Sequence, residues 1–277
     1  GSKSVTIENI TYAYDMASLG NGFLEEFAWD EAEIELHRKY GFLAGNLHTD
    51  LHECLGHGSG QLAPGVVGDE LKQYGSAIEE SRADLFALYF IMDPQMVELG
   101  IMPSLDAAKA EYNQYIRNGL LTQLTRVELG KDIEQAHMRN RQLIASWCYE
   151  KGKEENVIEK RVRDNKTYFV INDYDKLHNL FGVLLKEIQR IRSTGDFEAA
   201  KILVENYAVK VNKDIHTEVL ERFAKLNIAP YGGFVNPKMV PVLDGERIVD
   251  VKIDYSSSYI DQMVEYSNSY AFLPIYN

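Results

Sequence analysis

Cysteine is nearly missing from this sequence: Cys54 and Cys148 are the only two in 277 residues. Two thiols cannot supply the several bridges that staple small secreted scaffolds, so a reducing, cytoplasmic compartment is expected. Positive charge is also scarce, with Lys+Arg 29 against Asp+Glu 42 and a formal net charge of -13. Such a chain has no basic stripe to follow a phosphate backbone, which excludes nucleic acid as a partner. No apolar run reaches the roughly 18 residues that a membrane-spanning helix needs, so no membrane partner is expected. The start, Gly1-Ser2-Lys3-Ser4, has neither an initiator Met nor the apolar stretch of a signal peptide, and Gly1-Ser2 reads as the remnant of a cleaved expression tag. Internal repeats, low-complexity tracts and long linkers are missing too, which points to one domain over residues 3–277.

What is present is an ordinary globular composition, 45% hydrophobic and 26% charged, enough to build a core. Asp30 can cap a helix from Glu31 to Tyr40, which Gly41 and Gly45 should interrupt. A second helical stretch runs from Leu47 to His57 and stops at Gly58-Ser59-Gly60. Gln61 to Gly68, with Pro64, Gly65 and Gly68, reads as loop. Ala77 to Met92 is helical and closed by Pro94, Ser104 can cap a region reaching Gly130 with Gly119 as its weak point, and Asp132 to Glu150 follows up to Gly152. Between Val157 and Ile171 the pattern alternates around Asp164-Asn165, a hairpin. Helical spacing returns over Tyr174 to Arg192, Asp196 to Val211 and Asp214 to Leu226. Met239 to Leu243 and Arg247 to Ile253 flank Asp244-Gly245, a second hairpin. The fold class is therefore mainly α with two small β-hairpins.

The chemistry concentrates in His52-Glu53-Cys54-Leu55-Gly56-His57. Zinc peptidases commonly place two histidines four apart, about 40° from each other around a helix. Here they are five apart, about 140° on a regular helix, so sharing one ion requires a widened turn of the π type. Gly56 sits where that distortion is cheapest. The alternative is two unrelated histidines on a surface helix. A catalytic zinc needs a third protein ligand and an open position for water, and Ile78-Glu79-Glu80-Ser81-Arg82-Ala83-Asp84 offers one. In that segment Glu80 and Asp84 stand i,i+4 and repel each other, a solvated helix face unless a cation lies beside them. Cys54 reads as a small buried hydrophobe, since a fourth protein ligand would close the site.

Together these segments resemble the dipeptidyl peptidase III family, zinc exopeptidases with His-Glu-x-x-Gly-His and a downstream Glu-Glu-x-Arg-acid segment. The resemblance implies one zinc per chain held by His52, His57 and Glu80, with Glu53 as catalytic acid/base. It implies that Glu79 and Asp84 orient the ligand imidazoles through their other ring nitrogens; Asp84 is one methylene shorter than the Glu common there. Ala136-His137-Met138 is similar to a family segment whose histidine stabilises the transition state. Read alone, His137 is a helix residue facing Ile133 and Ile144, and a buried core histidine is the commoner case. Ser193-Thr194-Gly195-Asp196 and Ser18-Leu19-Gly20-Asn21 match further family segments, and the short loop between the zinc segments resembles the compact bacterial members. A basic pair for the substrate carboxylate, late in the domain in those members, is missing around Tyr231 to Pro237, so no carboxylate site is assigned. By this resemblance the chain is a catalytic-domain fragment that releases dipeptides from the N-terminus of short peptides. A preceding N-terminal lobe would be its missing partner, and an apolar or aromatic surface would be exposed where that lobe docks. Two rivals remain open. A di-iron bundle needs two Glu-x-x-His pairs, and only Glu134 to His137 has that spacing. A non-catalytic, zinc-stabilised interaction domain would use the metal only structurally.

Overall fold

The computed structural model describes residues 8–228, 236–254 and 256–272. Helices α1 (Glu8–Ser18), α2 (Phe23–Phe27) and α3 (Glu31–Leu51) come first, and α3 runs directly into a π-helical turn, His52–His57. Next are α4 (Gly75–Ile91), the short α5 (Gln95–Glu98), α6 (Asp106–Leu120) with a 3-10 turn at Thr122–Arg126, and α7 (Ala136–Lys151). The hairpin of β1 (Ile158–Arg163) and β2 (Lys166–Ile171) precedes α8 (Tyr174–Thr194), α9 (Phe197–Tyr207) and α10 (Lys213–Leu226). A second hairpin, β3 (Lys238–Asp244) and β4 (Arg247–Asp254), leads to α11 (Tyr259–Tyr270). The architecture is mainly α with two separate antiparallel hairpins. Among the described residues no helix is long and apolar enough to cross a membrane. Two compact units divide the described chain: residues 22–228, and residues 8–21 with 236–254 and 256–272.

In the larger unit α4 is the central element. It buries Ile78, Leu85, Leu88 and Ile91 together with Ser81, Arg82 and Asp84, and a helix buried on all sides is one enclosed by neighbours. Those neighbours are α3, the π turn, α7 and α8. Helix α8 supplies a regular stripe, Leu177, Phe181, Leu184, Ile188 and Ile191, all buried, at the three- and four-residue steps of one helix face. Asp173 caps its first turn by accepting from the Lys176 amide at 2.9 Å, and Gly195, at φ 66, ends it. Burying a side chain such as Phe181 stabilises the unit by about 1.5–3 kcal/mol.

Several sequence expectations shift. Asp30 does cap α3, accepting from the Glu33 amide at 2.9 Å, but Gly41 and Gly45 do not interrupt it. Gly41 is buried, and a Cβ there would meet the His37 ring at 2.7 Å, so close packing outweighs the roughly 1 kcal/mol that glycine costs a helix. Gly119 likewise stays helical, because a Cβ would meet the Arg141 carbonyl oxygen at 2.6 Å. The chain leaves α6 only at Leu121, which packs with Leu124, Phe27, Ile133 and Val219 in a second apolar cluster. Helix α7 starts at Ala136 and not at Asp132, because the Ile133 amide donates to the Val209 carbonyl and the Gln135 side chain accepts from the Met138 amide. Asp164 and Asn165 both adopt positive φ, 52 and 58, as a two-residue primed turn demands.

The smaller unit holds α1, the second hairpin and α11. Its turn is one residue later than expected: Asp244 pairs with Arg247, so Gly245, at φ 60, and Glu246 form the loop. Gln262 of α11 is buried and exchanges two 2.7 Å hydrogen bonds with the Asn236 backbone. Every residue of β4 is exposed, and Met239, Leu243, Ile248 and Ile253 leave apolar side chains in solvent.

Candidate metal centre

The π turn settles the spacing of His52 and His57. Its wider backbone brings residues five apart onto one side, and the two Nε2 atoms lie 3.0 Å from each other. Gly56 matters for space: a Cβ there would fall 2.6 Å from Ala83 Cα, so glycine lets the turn sit directly on α4. Helix α4 carries Glu80 and Asp84 one turn apart, with Glu79 offset by about 100°.

These elements bring together His52, His57 and Glu80, whose donor atoms all lie within 4.8 Å of one another. Glu80 Oε2 is 3.4 Å from His52 Nε2 and 3.7 Å from His57 Nε2. On the outer side, His52 Nδ1 is 2.6 Å from Asp84 Oδ1 and His57 Nδ1 is 3.0 Å from Glu79 Oε1. The hydrogen-bond network thus assigns the Nδ1 protons to the two carboxylates, and both Nε2 lone pairs face inward. Glu80 Oε2 is buried and makes no well-directed hydrogen bond. Donor atoms of two imidazoles and one carboxylate turned on one another suit a bound cation and are zinc-type ligands.

The electrostatics agree. Burial pushes Glu80 up, yet His137 and His52 outweigh it and hold its carboxyl down at about 2. Glu79 is likewise held at about 2, burial being overcome by Arg82 and His57. Asp84, despite complete burial, is kept well below the usual carboxylate range by His48 and His52. Burial lowers His52, but the carboxylates of Asp84 and Glu80 beside it raise it to about 9.

Glu53, next to His52, lines a cavity of about 260 Å³ with His52, His137, Tyr115 and Arg141. His137 is the second residue of α7; its side chain is 50% exposed, and Nδ1 lies 3.2 Å from Glu80 Oε2. It is therefore not a core histidine. Cys54 is exposed, contrary to the expectation of a buried small hydrophobe, because the π turn points it away from α4 while His52 and Gly56 face inward. Ser193 and Asp196 brace the fold: the Ser193 carbonyl accepts from the Ala63 amide at 2.9 Å, and Asp196 caps α9 by accepting from the Ala199 amide at 3.1 Å. Ser18-Leu19-Gly20-Asn21 lies at the end of α1 in the smaller unit. Within Tyr231 to Pro237, residues 231–235 lie outside the described residues, as do Gly1 and Ser2.

Sequence reasoning missed His48, Tyr115 and Asn140, which contact Asp84 from three helices, and Glu111, which pairs with His48. His48 alone carried a clue, standing one helical turn before His52.

Residues 63–240 match the model of peptidase family M49, a span that contains Glu79 to Asp84 and His137 and begins after the π turn. Mouse (Mus musculus) dipeptidyl peptidase 3 is 25% identical over 252 residues, covering 75% of this chain and 33% of the mouse protein. The solved dipeptidyl peptidase III from Caldithrix abyssi has a TM-score of 0.62 at 24% identity, covering 82% of this chain and 40% of that one. That from Corallococcus sp. strain EGB has a TM-score of 0.60 at 20% identity, covering 82% and 39%. Both structural likenesses are likenesses of fold, and the chain spans about a third of the length of the curated relatives it matches. With a family match across more than half its length, the chain belongs to peptidase family M49.

Proposed function

We propose that residues 3–277 form the zinc-carrying catalytic domain of a dipeptidyl peptidase, releasing dipeptides from the N-terminus of short peptides in the cytoplasm. The observation that carries this reading is the convergence of His52, His57 and Glu80 donor atoms beside a cavity lined by Glu53 and His137. Two imidazoles and a carboxylate leave a coordination position for water, whereas a purely structural zinc is enclosed by Cys and His. That difference favours an enzyme over a zinc-stabilised interaction domain. Zinc bound by these residues would bring the pKa of a water toward about 7 and polarise the scissile carbonyl. Glu53 is the proton carrier: it takes a proton from the attacking water and delivers it to the leaving amine. His137 donates to the oxygen on which negative charge builds. Asp84 and Glu79 keep the ligand rings in one tautomer and orientation.

The length of the relatives and the apolar side chains exposed at Leu55, Leu62 and Val67 support a further, N-terminal lobe that would close over the peptide. Its contacts would position the substrate, so the 277-residue chain alone cleaves poorly. Metal analysis and hydrolysis of a chromogenic dipeptide substrate test both levels. The reading requires one zinc per chain, and a chain that binds none refutes it. A kcat/KM equal to that of a two-lobed family member would remove the need for the further lobe and leave the zinc reading standing.

A further inference from the structure

His48 stands one turn before His52 on α3, so the two rings lie about 40° apart around the helix, with centroids 6.4 Å apart and planes inclined by 29°. The zinc reading gives it no task, yet it is buried deep in the same wall, its side chain 12% exposed. Its nitrogens face two carboxylates. Nε2 lies 3.1 Å from Asp84 Oδ1, and Nδ1 makes an ion-pair contact of 3.0 Å with Glu111 Oε1. The Tyr115 ring stacks on it at 5.6 Å. His48 thus bridges two carboxylates, at hydrogen-bond distance from Asp84 and in an ion-pair contact with Glu111 that is not directed as a hydrogen bond.

The consequence falls on Asp84. Its Oδ1 receives His52 Nδ1 at 2.6 Å and His48 Nε2 at 3.1 Å, while its Oδ2 accepts from the Tyr115 hydroxyl at 2.7 Å and from Asn140 Nδ2 at 2.8 Å. A carboxylate held by four donors on both oxygens cannot rotate. The ring of His52, bonded to it at the shortest of these distances, takes its orientation from that clamp. Without His48, Asp84 and Glu111 would be two buried carboxylates with no cation between them, a costly arrangement.

We propose that His48, anchored by Glu111, is a positioning residue of the metal centre: it locks Asp84, and through Asp84 the His52 ring, so that Nε2 faces the ion. This rests on the zinc reading above. A second ion bound by His48, His52 and Asp84, whose donor atoms also cluster within 4.8 Å, is the competing arrangement. It would have to break the 2.6 Å bond between His52 and Asp84, and the short bond favours positioning.

The two effects of removing His48 have opposite signs. On Coulomb grounds alone, deleting a cation beside the site tightens zinc binding; loss of positioning weakens it. Zinc affinity of the 277-residue chain, by competition with a chromophoric chelator, separates them for the parent, His48→Leu, His48→Gln and Glu111→Gln. Expected is one zinc in the parent, binding about ten- to a hundred-fold weaker in His48→Leu, and a smaller loss in His48→Gln, which keeps one donor to Asp84. The visible spectrum of the cobalt(II)-loaded chain should shift in His48→Leu, a change in ligand geometry that a fall in Tm alone does not produce. Equal or tighter zinc binding in His48→Leu, or two zinc ions in the parent falling to one in the variant, overturns the proposal. Should His48→Leu fail to fold, unchanged affinity in both His48→Gln and Glu111→Gln overturns it equally. A parent that binds no zinc refutes the zinc reading itself, whereas a zinc-binding parent with unaffected variants refutes only the role of His48.

Discussion

The two histidine arms of the proposed metal centre reach the same geometry by opposite means. His52 and its carboxylate are sealed in, with side-chain exposures of 10% and 8%, and the charge behind Asp84 is a buried histidine, His48, raised to about 10 because Glu111 and Asp84 outweigh burial. His57 and Glu79 are 25% and 26% exposed, and Glu79 is backed by arginines. Arg82 donates to both its oxygens at 2.7 and 3.1 Å, and Arg192 donates at 3.2 Å. Arg82 also grips the Gly56 carbonyl at 2.7 Å, tying the π turn to the same arm. A guanidinium suits the wetter arm because it is always charged and binds a carboxylate by two parallel bonds. In the dry arm four separate donors share the task, and each depends on the others.

The largest expected effect lies between the arms. Because Glu53 is assigned proton transfer and not ligation, Glu53→Ala should lower kcat of the zinc-loaded two-lobed enzyme by about 10²–10⁴-fold, with zinc content unchanged. A parent-like rate would end its assignment. Removing a ligand collapses either arm, so His57→Ala should lose its zinc, read by elemental analysis; full occupancy would mean that the donor set is wrong.

The comparison itself is tested by paired substitutions. Asp84→Ala leaves His48 and Glu111 buried beside an empty space and should cost about 3–5 kcal/mol in urea denaturation. Glu79→Ala, where Glu79 is partly solvated, Arg192 can turn to water and the buried Arg82 keeps its bond to the Gly56 carbonyl, should cost less, about 1–3 kcal/mol. Equal losses would show that burial does not separate the arms. His137→Ala should reduce kcat more than it changes KM, since its contact forms as charge develops; a pure KM effect would make it a substrate-binding group. Smallest of all, Cys54→Ser, exposed and outside the donor set, should leave zinc affinity and Tm unchanged.

The site was legible in the sequence to the depth of residues that recur at short spacing. His52, Glu53 and His57 fall within six positions, and Glu79, Glu80 and Asp84 within another six, so helical geometry asked for a widened turn if the histidines share an ion, and the family resemblance paired that turn with the acidic helix. Tyr115 and Asn140 come from α6 and α7 and meet Asp84, and Glu111 of α6 meets His48, only because those helices pack against α3 and α4; no spacing along the chain encodes those meetings. The errors share this cause. Gly41 and Gly119 look like a break and a weak point when judged by propensity, and each is instead a place where another group approaches too closely for a Cβ. Cys54 looked like a core residue because it is small and apolar, but the π turn rotated it outward.

By itself the sequence determined the helical class, both hairpins and the two segments whose histidines and carboxylates meet, since periodicity, caps and turn residues act over a few neighbouring positions. The tertiary structure decided which nitrogen of each histidine turns inward, which carboxylate backs which ring, and that a buried His48 completes the clamp. Those choices depend on hydrogen bonds between helices distant in the chain, where exclusion of water makes every unpaired charge costly and so fixes a single arrangement.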